Sequence, residues 1–334
     1  MKAAVLGAGS WGTTFAQVLC DAGTRTVLYS RRPALAKALA VQHENPDYLP
    51  GVALTPALDA TSDPAEALDG ADLVAFAVTA QTLRANLEQW APLLPPGALL
   101  VSLMKGMELG TRLRMSSVIA EVLGADSARI VVVAGPNLAG EIVRREFTAA
   151  VVACSLESGA VALQEACHTP YFRPYTNTDV TGCELGGTVK NVIAIAVGIA
   201  VAMGLGDNTR ATLITRGLAE IARLGSALGA QAQTFAGLAG MGDLVATCSS
   251  PLSRNRTFGE NLGRGMSVPQ AAAALSQTAE GVASCGPVLE LARARGVEMP
   301  ITEVVEAVMR DGLPVAQAAS MLASRSAKPE WYGP

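Results

Sequence analysis

Over roughly the first 180 residues, short runs of Val, Leu, Ile and Ala alternate with helix-period stretches, and no other feature of the chain limits its fold as strongly. KAAVLG (2–7), RTVLYS (25–30), LVAFAV (73–78), ALLVSL (98–103), IVVVAG (130–135) and AAVVAC (149–154) read as strands, several of them apolar throughout, as strands covered on both faces are. TTFAQVLCDAG and TLRANLEQWAPLL between them read as helices, so the strands are joined by crossovers into a mostly parallel sheet. From about residue 181 the strand signal stops. ELGGTVKNVIAIAVGIAVAM, NTRATLITRGLAEIARLGSALG, PVLELARARG, ITEVVEAVMRDG and PVAQAASMLASR all read as helices closed by Gly or polar breakers. The chain is therefore expected to be α/β over 1–180, with a doubly wound, mostly parallel sheet, and all-helical over 181–334. No biased linker or internal repeat marks the junction.

A length of 334 residues exceeds what one core usually serves, in agreement with two domains. Half the residues are hydrophobic and 16% are charged, a composition that buries most elements and argues against disorder. Net charge is −4 and no Lys/Arg run forms a stripe, which argues against nucleic acid or an anionic membrane as the main partner. Six scattered cysteines with no C-x-x-C pair read as reduced core residues, not as a zinc site or a disulfide framework. The apolar start MKAAVLGAGSWG breaks into glycines too early for a secretory signal. The all-apolar stretch Val192–Leu205 is shorter than the ~20 residues that span a bilayer. No integral membrane segment and a cytoplasmic location are expected.

GAGSWG matches G-x-G-x-x-G between the first strand and the first helix. Gly7 allows the tight turn, Gly9 lets backbone amides approach a pyrophosphate, and Gly12 permits close helix packing. This context predicts a Rossmann-type dinucleotide site; the bland reading, a glycine-rich turn, leaves the three positions unrelated. The second strand ends at Ser30, Arg31 and Arg32, where a site specific for NAD usually has an acidic residue for the ribose diol. Two guanidiniums suit a 2′-phosphate, so NADP(H) is the favoured cofactor with NAD(H) use still open, unless the arginines are only surface charges. Trp11 reads either as cover for the cofactor or as packing.

Ligands in open α/β sheets collect beyond the carboxyl ends of the strands. Thr79, Lys105 and GPN (135–137) fall there, although Lys105 also reads as a solvated loop lysine. In GGTVKNVIAIAVGIAVAMGLG (186–206) a lone ammonium opens an apolar segment, read as a buried helix with Lys190 and Asn191 near its N-terminal end. Burial and the helix dipole would both push the lysine pKa downward, toward the range where it can exchange a proton with a hydroxyl or carbonyl oxygen. The competing reading pairs Lys190 with Glu184 as a structural ion pair. Asp243 lies among apolar and glycine residues and needs a partner such as Lys190. Ser253, Arg254 and Asn255 form a polar island suited to a phosphate monoester, or else a helix cap with surface arginines; Arg256 reads equally well as solvated. His43 and His168 have no metal-ligand spacing, and no metal site is expected.

GAGSWG, NPDYLPG (45–51), KGME (105–108), GPNLAGE (135–141), GGTVKNVIAIAVG, GDNTRATLITRGLAE (206–220), GLAGMGDLVATC and SPLSRNRTFGENLGRG occur in this order. On these motifs residues 3 to about 310 resemble the bacterial glycerol-3-phosphate dehydrogenase [NAD(P)+] family. The resemblance implies a Rossmann domain followed by an all-helical domain like the C-terminal domain of 6-phosphogluconate dehydrogenase. It also implies reversible reduction of dihydroxyacetone phosphate to sn-glycerol 3-phosphate for glycerophospholipid synthesis, and a homodimer. It makes Lys190 the proton acceptor, puts Lys105 near nicotinamide and substrate, and sets Asn191, Asp243 and Thr247 around the reacting carbon. Gly135, Asn137, Ser253, Arg254 and Asn255 would hold substrate. Ser10, Trp11, Arg31, Arg32, Ala139 and Glu280 would hold cofactor together with the glycine loop, with Lys105 and Arg254 touching both ligands. One departure stands out: Asn137 replaces the Ser or Thr of the family's GPSxAxE motif. Tyr48 and the tail KPEWYGP receive no role. A related hydroxyacid dehydrogenase and a non-catalytic NADP sensor are the alternative readings.

Overall fold

The computed structural model describes residues 1–275, 277–326 and 329–330. It divides into two compact units, Met1–Lys105 with Arg114–Val180, and Gly106–Leu113 with Thr181–Pro334. The end of the tail, Trp331–Pro334, lies outside the described residues.

The first unit holds ten strands: β1 Lys2–Leu6, β2 Arg25–Tyr29, β3 Glu44–Asn45, β4 Leu49–Ala53, β5 Asp59–Thr61, β6 Leu73–Phe76, β7 Leu99–Ser102, β8 Ile130–Ala134, β9 Thr148–Cys154 and β10 Phe172–Asn177. Eight form one sheet in the order β10-β9-β8-β7-β6-β1-β2-β5, and β3 and β4 pair as a small hairpin. All six apolar runs are strands. Within the eight-stranded sheet pairing is parallel except between β8 and β9, which run antiparallel. β3, β4, β5 and β10 escape the apolar-run signal because they are short or polar. β10 is an edge strand whose buried Phe172 and Pro174 alternate with exposed Arg173 and Tyr175, so only half of it contributes to the core.

Strand order reverses direction at β1, whose carboxyl end leads through Gly7 into the helix Ser10–Asp21. Gly7 has φ +125°, and a Cβ there would meet the Ala77 carbonyl oxygen at 2.4 Å. A Cβ on Gly12 would lie 2.0 Å from the Gly7 oxygen, so the helix is seated directly on the turn.

Around the helix Val180–Ala202 the second unit is built, with no strand among its described residues. This helix has 23 residues and is long enough to cross a membrane, yet 89% of its most apolar window is buried inside the protein. Three faces account for that burial. Gly186 comes so near Ala239 that a Cβ would lie 2.3 Å from its oxygen; Ile193 fills the space over Gly217 of the helix Asp207–Ala227; and Gly198 approaches the Arg256 oxygen. The last contact is reciprocal, since Gly259 of the helix Arg254–Gly263 approaches the Ile195 oxygen. These two helices thus pack backbone to backbone. Met107 joins the same core from the segment Gly106–Leu113, and Thr188 Oγ1 donates to the Gly106 oxygen at 3.4 Å.

Two sequence expectations change. Lys190 is the eleventh residue of its helix, well past the first turn where the dipole acts, so the dipole gives no reason for a lowered pKa. The helix read from Pro287 begins at Glu280 and carries Pro287 in its interior. Proline is a poor start marker there because packing tolerates its missing N–H.

Candidate active site

In the first unit, the backbone amides at the start of the helix Ser10–Asp21 receive no side-chain cap from Gly9, and the space a Cβ would take on Gly9 is open for 4 Å. Trp11 Nε1 is buried with no hydrogen-bond partner. Uncapped amides, an open glycine and an orphaned indole donor fit the phosphates and sugars of a dinucleotide. The NPDYLPG segment secures this loop from outside. Asn45 Nδ2 donates to the Ala8 oxygen (3.1 Å) and to Thr13 Oγ1 (2.7 Å), the Tyr48 amide donates to Asn45 Oδ1, and Ser10 Oγ donates to the Tyr48 oxygen at 3.2 Å. Sequence reasoning missed Asn45 and Tyr48 as parts of the loop. The motif itself was visible, but its target lies more than thirty residues away.

Arg31 and Arg32 follow β2, and both are exposed. Arg32 pairs with Asp47 at 2.8 Å and lies 5.5 Å from the Tyr48 ring centroid. Farther along the carboxyl ends of the strands, Lys105 Nζ donates to the Gly135 oxygen at 2.7 Å. Asn137 Nδ2 donates to the Ala134 oxygen at 3.1 Å, whereas its Oδ1 is buried without a partner. Ala139 opens the short helix Ala139–Ile142, and its oxygen accepts from Thr14 Oγ1. Thr79 is exposed.

In the second unit the lone ammonium has its answer. Lys190 Nζ donates to Asp243 Oδ1 at 2.6 Å and to Thr247 Oγ1 at 2.5 Å, with Lys190 6% and Asp243 1% exposed. Asp243 and Thr247 stand one turn apart on the helix Asp243–Ser249, so one helical face presents a carboxylate and a hydroxyl to the same nitrogen. The carboxylate offsets the cost of burying the ammonium. The partner expected for Asp243 is thus in place, the two side chains forming an ion pair. Burial pushes the neighbouring Cys248 thiol up to about 12, with Lys190 opposing, so it stays protonated near neutral pH.

Asn191 faces a different helix. Its Oδ1 accepts from Asn255 Nδ2 at 2.9 Å, while Asn255 Oδ1 accepts from the Gly281 amide at 2.9 Å. One donor and one acceptor of the Asn255 amide are thereby used inside the protein. Ser253 caps the helix Arg254–Gly263, its Oγ accepting from the Arg256 amide. Arg254 Nη1 donates to Gln277 Oε1 at 3.0 Å. Arg254 is exposed by surface area yet crowded enough that desolvation pulls its pKa down, the Glu280 carboxylate opposing. Arg256 is tied to Glu260 at 3.0 Å and to the Ser249 oxygen. The polar island is thus partly the helix cap of the bland reading, with Arg254 as its outward guanidinium.

The profile described as NAD-dependent glycerol-3-phosphate dehydrogenase N-terminus matches residues 2–160, and that of the C-terminus matches residues 179–320. The chain belongs to the NAD-dependent glycerol-3-phosphate dehydrogenase family. A glycerol-3-phosphate dehydrogenase [NAD(P)+] of Thermobifida fusca is 64% identical over 333 residues, 99% of each chain. One from Streptomyces griseus is 62% identical over 330 residues, 99% of this chain and 98% of that one. The solved glycerol-3-phosphate dehydrogenase of Coxiella burnetii is 37% identical with a TM-score of 0.92, covering 97% of this chain and 99% of its own. A ketopantoate reductase from Ralstonia eutropha, at 17% identity and a TM-score of 0.60, shares the fold alone.

Proposed function

We propose that this chain catalyses the reversible NAD(P)H-dependent reduction of dihydroxyacetone phosphate to sn-glycerol 3-phosphate, for glycerophospholipid synthesis, with Lys190 as proton donor and acceptor. The relatives named above are glycerol-3-phosphate dehydrogenases [NAD(P)+] by name, at 64% and 62% identity over nearly the whole chain. The observation that carries the reading is the buried ammonium held between Asp243 and Thr247. A lysine core residue that served packing alone would be better replaced by an apolar side chain.

The nicotinamide cofactor, when bound, supplies the hydride for the substrate carbonyl carbon. The glycine loop, Ser10, Trp11, Arg31, Arg32 and Ala139 bind and orient it, with Lys105, Arg254 and Glu280 as further contacts. Lys190 gives a proton to the carbonyl oxygen as charge develops there, and takes it back from the hydroxyl in reverse. Asp243 fixes the ammonium in place, and Thr247 limits its rotation. Asn191 orients the reacting end. Arg254, with Ser253 and Asn255, anchors the phosphate, and Gly135, Asn137 and Lys105 complete the substrate contacts. Binding a phosphate remote from the reacting carbon then contributes to turnover as well as to affinity. The enzyme acts as a cytoplasmic homodimer without nucleic acid or membrane insertion.

Spectrophotometric oxidation of NADPH with dihydroxyacetone phosphate tests this reading, with a carboxylate-bearing keto acid as control. Turnover with the phosphate substrate alone is expected. Turnover with the keto acid alone would transfer the chain to a different substrate class, and binding of NADPH without turnover on either would make it a sensor.

A further inference from the structure

We propose that Asp47 sets the balance between NADPH and NADH by competing with the 2′-phosphate for Arg32. The inference rests on the reading above in one respect, that a dinucleotide occupies the glycine loop. The two cofactors differ by a single phosphate on the adenosine ribose, and in a strand–helix–strand nucleotide site the end of the second strand faces that ribose. Here β2 ends at Tyr29 and is followed by Ser30, Arg31 and Arg32. A guanidinium presents the same donors to a carboxylate as to a phosphate. Arg32 already presents them to Asp47, at 2.8 Å.

A 2′-phosphate reaching Arg32 must displace Asp47 from the guanidinium, or share the fork with it and lose part of its donors. A 2′-hydroxyl meets neither obstacle. The pair is about half exposed, 47% for the arginine side chain and 46% for the aspartate, so it is exchangeable and handicaps NADPH without excluding it. The carboxylate also has a defined place. Asp47 lies in sequence between Asn45, which is bonded to Ala8 of the glycine loop and to Thr13 of the helix that follows it, and Tyr48, whose amide returns to Asn45 and whose ring lies near the Arg32 guanidinium. Asp47 is therefore a specificity-determining residue that works through Arg32, outside the G-x-G-x-x-G motif.

Calorimetric titration of the full-length protein with NADPH and with NADH tests this directly. Asp47→Asn should tighten NADPH about fivefold at low salt while moving NADH less than about twofold, and added salt should shrink the gain. In an Arg32→Ala background the same substitution should change the NADPH constant little, because the competitor then has nothing to compete for. A loss of NADH affinity in Asp47→Asn would make Asp47 a ribose ligand and overturn the proposal. Equal tightening of both cofactors, or a gain that persists without Arg32, would also overturn it. Failure to reduce dihydroxyacetone phosphate, with the binding ratios as expected, would remove the substrate assignment and leave the role of Asp47 intact. Absence of binding to either dinucleotide would remove both.

Discussion

At position 190, burial and charge conflict, and one carboxylate and one hydroxyl reconcile them. An ammonium 6% exposed is tolerable because Asp243 lies 2.6 Å away. Removing one partner leaves the other charge buried and alone. Lys190→Ala should therefore lower the unfolding free energy by about 3–5 kcal/mol in chemical denaturation. It should also lower kcat by about a thousandfold or more, with NADPH affinity within about twofold of the parent. The double variant Lys190→Met/Asp243→Leu separates the two effects. It should regain most of the lost stability without regaining turnover, and recovery of turnover would remove the lysine from the chemistry. Asn137 poses a smaller question of the same kind, because its Oδ1 is buried without a partner. Asn137→Ser, restoring the motif's usual residue, should keep the fold and change KM for dihydroxyacetone phosphate more than kcat.

Helices in the second unit are positioned by close backbone approach and by one buried carboxylate. Gly198 and Gly259 let the helices Val180–Ala202 and Arg254–Gly263 touch, which sets Asn191 opposite Asn255 one turn before the Ile195–Gly259 contact. A Cβ on Gly198 would lie 2.0 Å from the Arg256 oxygen. Gly198→Ala should therefore destabilise by about 1–3 kcal/mol and raise KM for the phosphate substrate, read from denaturation and kinetics on one preparation. Glu220 works differently. From the helix Asp207–Ala227 it accepts from the amides of Ile301 (2.6 Å) and Thr302 (3.2 Å), the start of the helix Pro300–Arg310. Burial raises its pKa from 4.5 to about 7 despite these bonds. Below about pH 4.5 both folded and unfolded chains hold the proton, and between there and about pH 7 only the folded chain keeps it. This group's contribution is thus complete at the acid end and lost as pH rises through 7, a decline of about 3 kcal/mol. In Glu220→Gln that decline should vanish from the pH profile of stability. The variant should also be less stable throughout, because an amide nitrogen cannot accept from Thr302.

For the molecule as a whole, the glycine loop lies in one compact unit and the Lys190–Asp243–Thr247 cluster in the other. Saturating NADPH should raise the thermal midpoint, by the equivalent of roughly 2.7 kcal/mol at a hundred times Kd, if it binds only the folded state. Gly12→Ala should abolish that shift, because its Cβ would strike the Gly7 oxygen and lift the helix off the turn. Light scattering on the purified chain checks the proposed homodimer directly.

Local pattern by itself determined the class of each half. Runs of Val, Leu and Ala are legible as buried strands, GAGSWG is legible as a phosphate turn, and a charge among apolar residues announces that it needs a partner. Which partner it takes is not local: Lys190 and Asp243, which form an ion pair, are 53 positions apart in sequence. The short strands β3, β4 and β5, the clasp of Asn45 on the glycine loop, and the Arg32–Asp47 pair likewise depend on contacts that no window of sequence contains. Periodicity is a property of neighbours along the chain and declares which face is buried. What that face meets depends on how distant helices and strands come together, and for Lys190, Asn137 and Asp47 only the tertiary structure decided it.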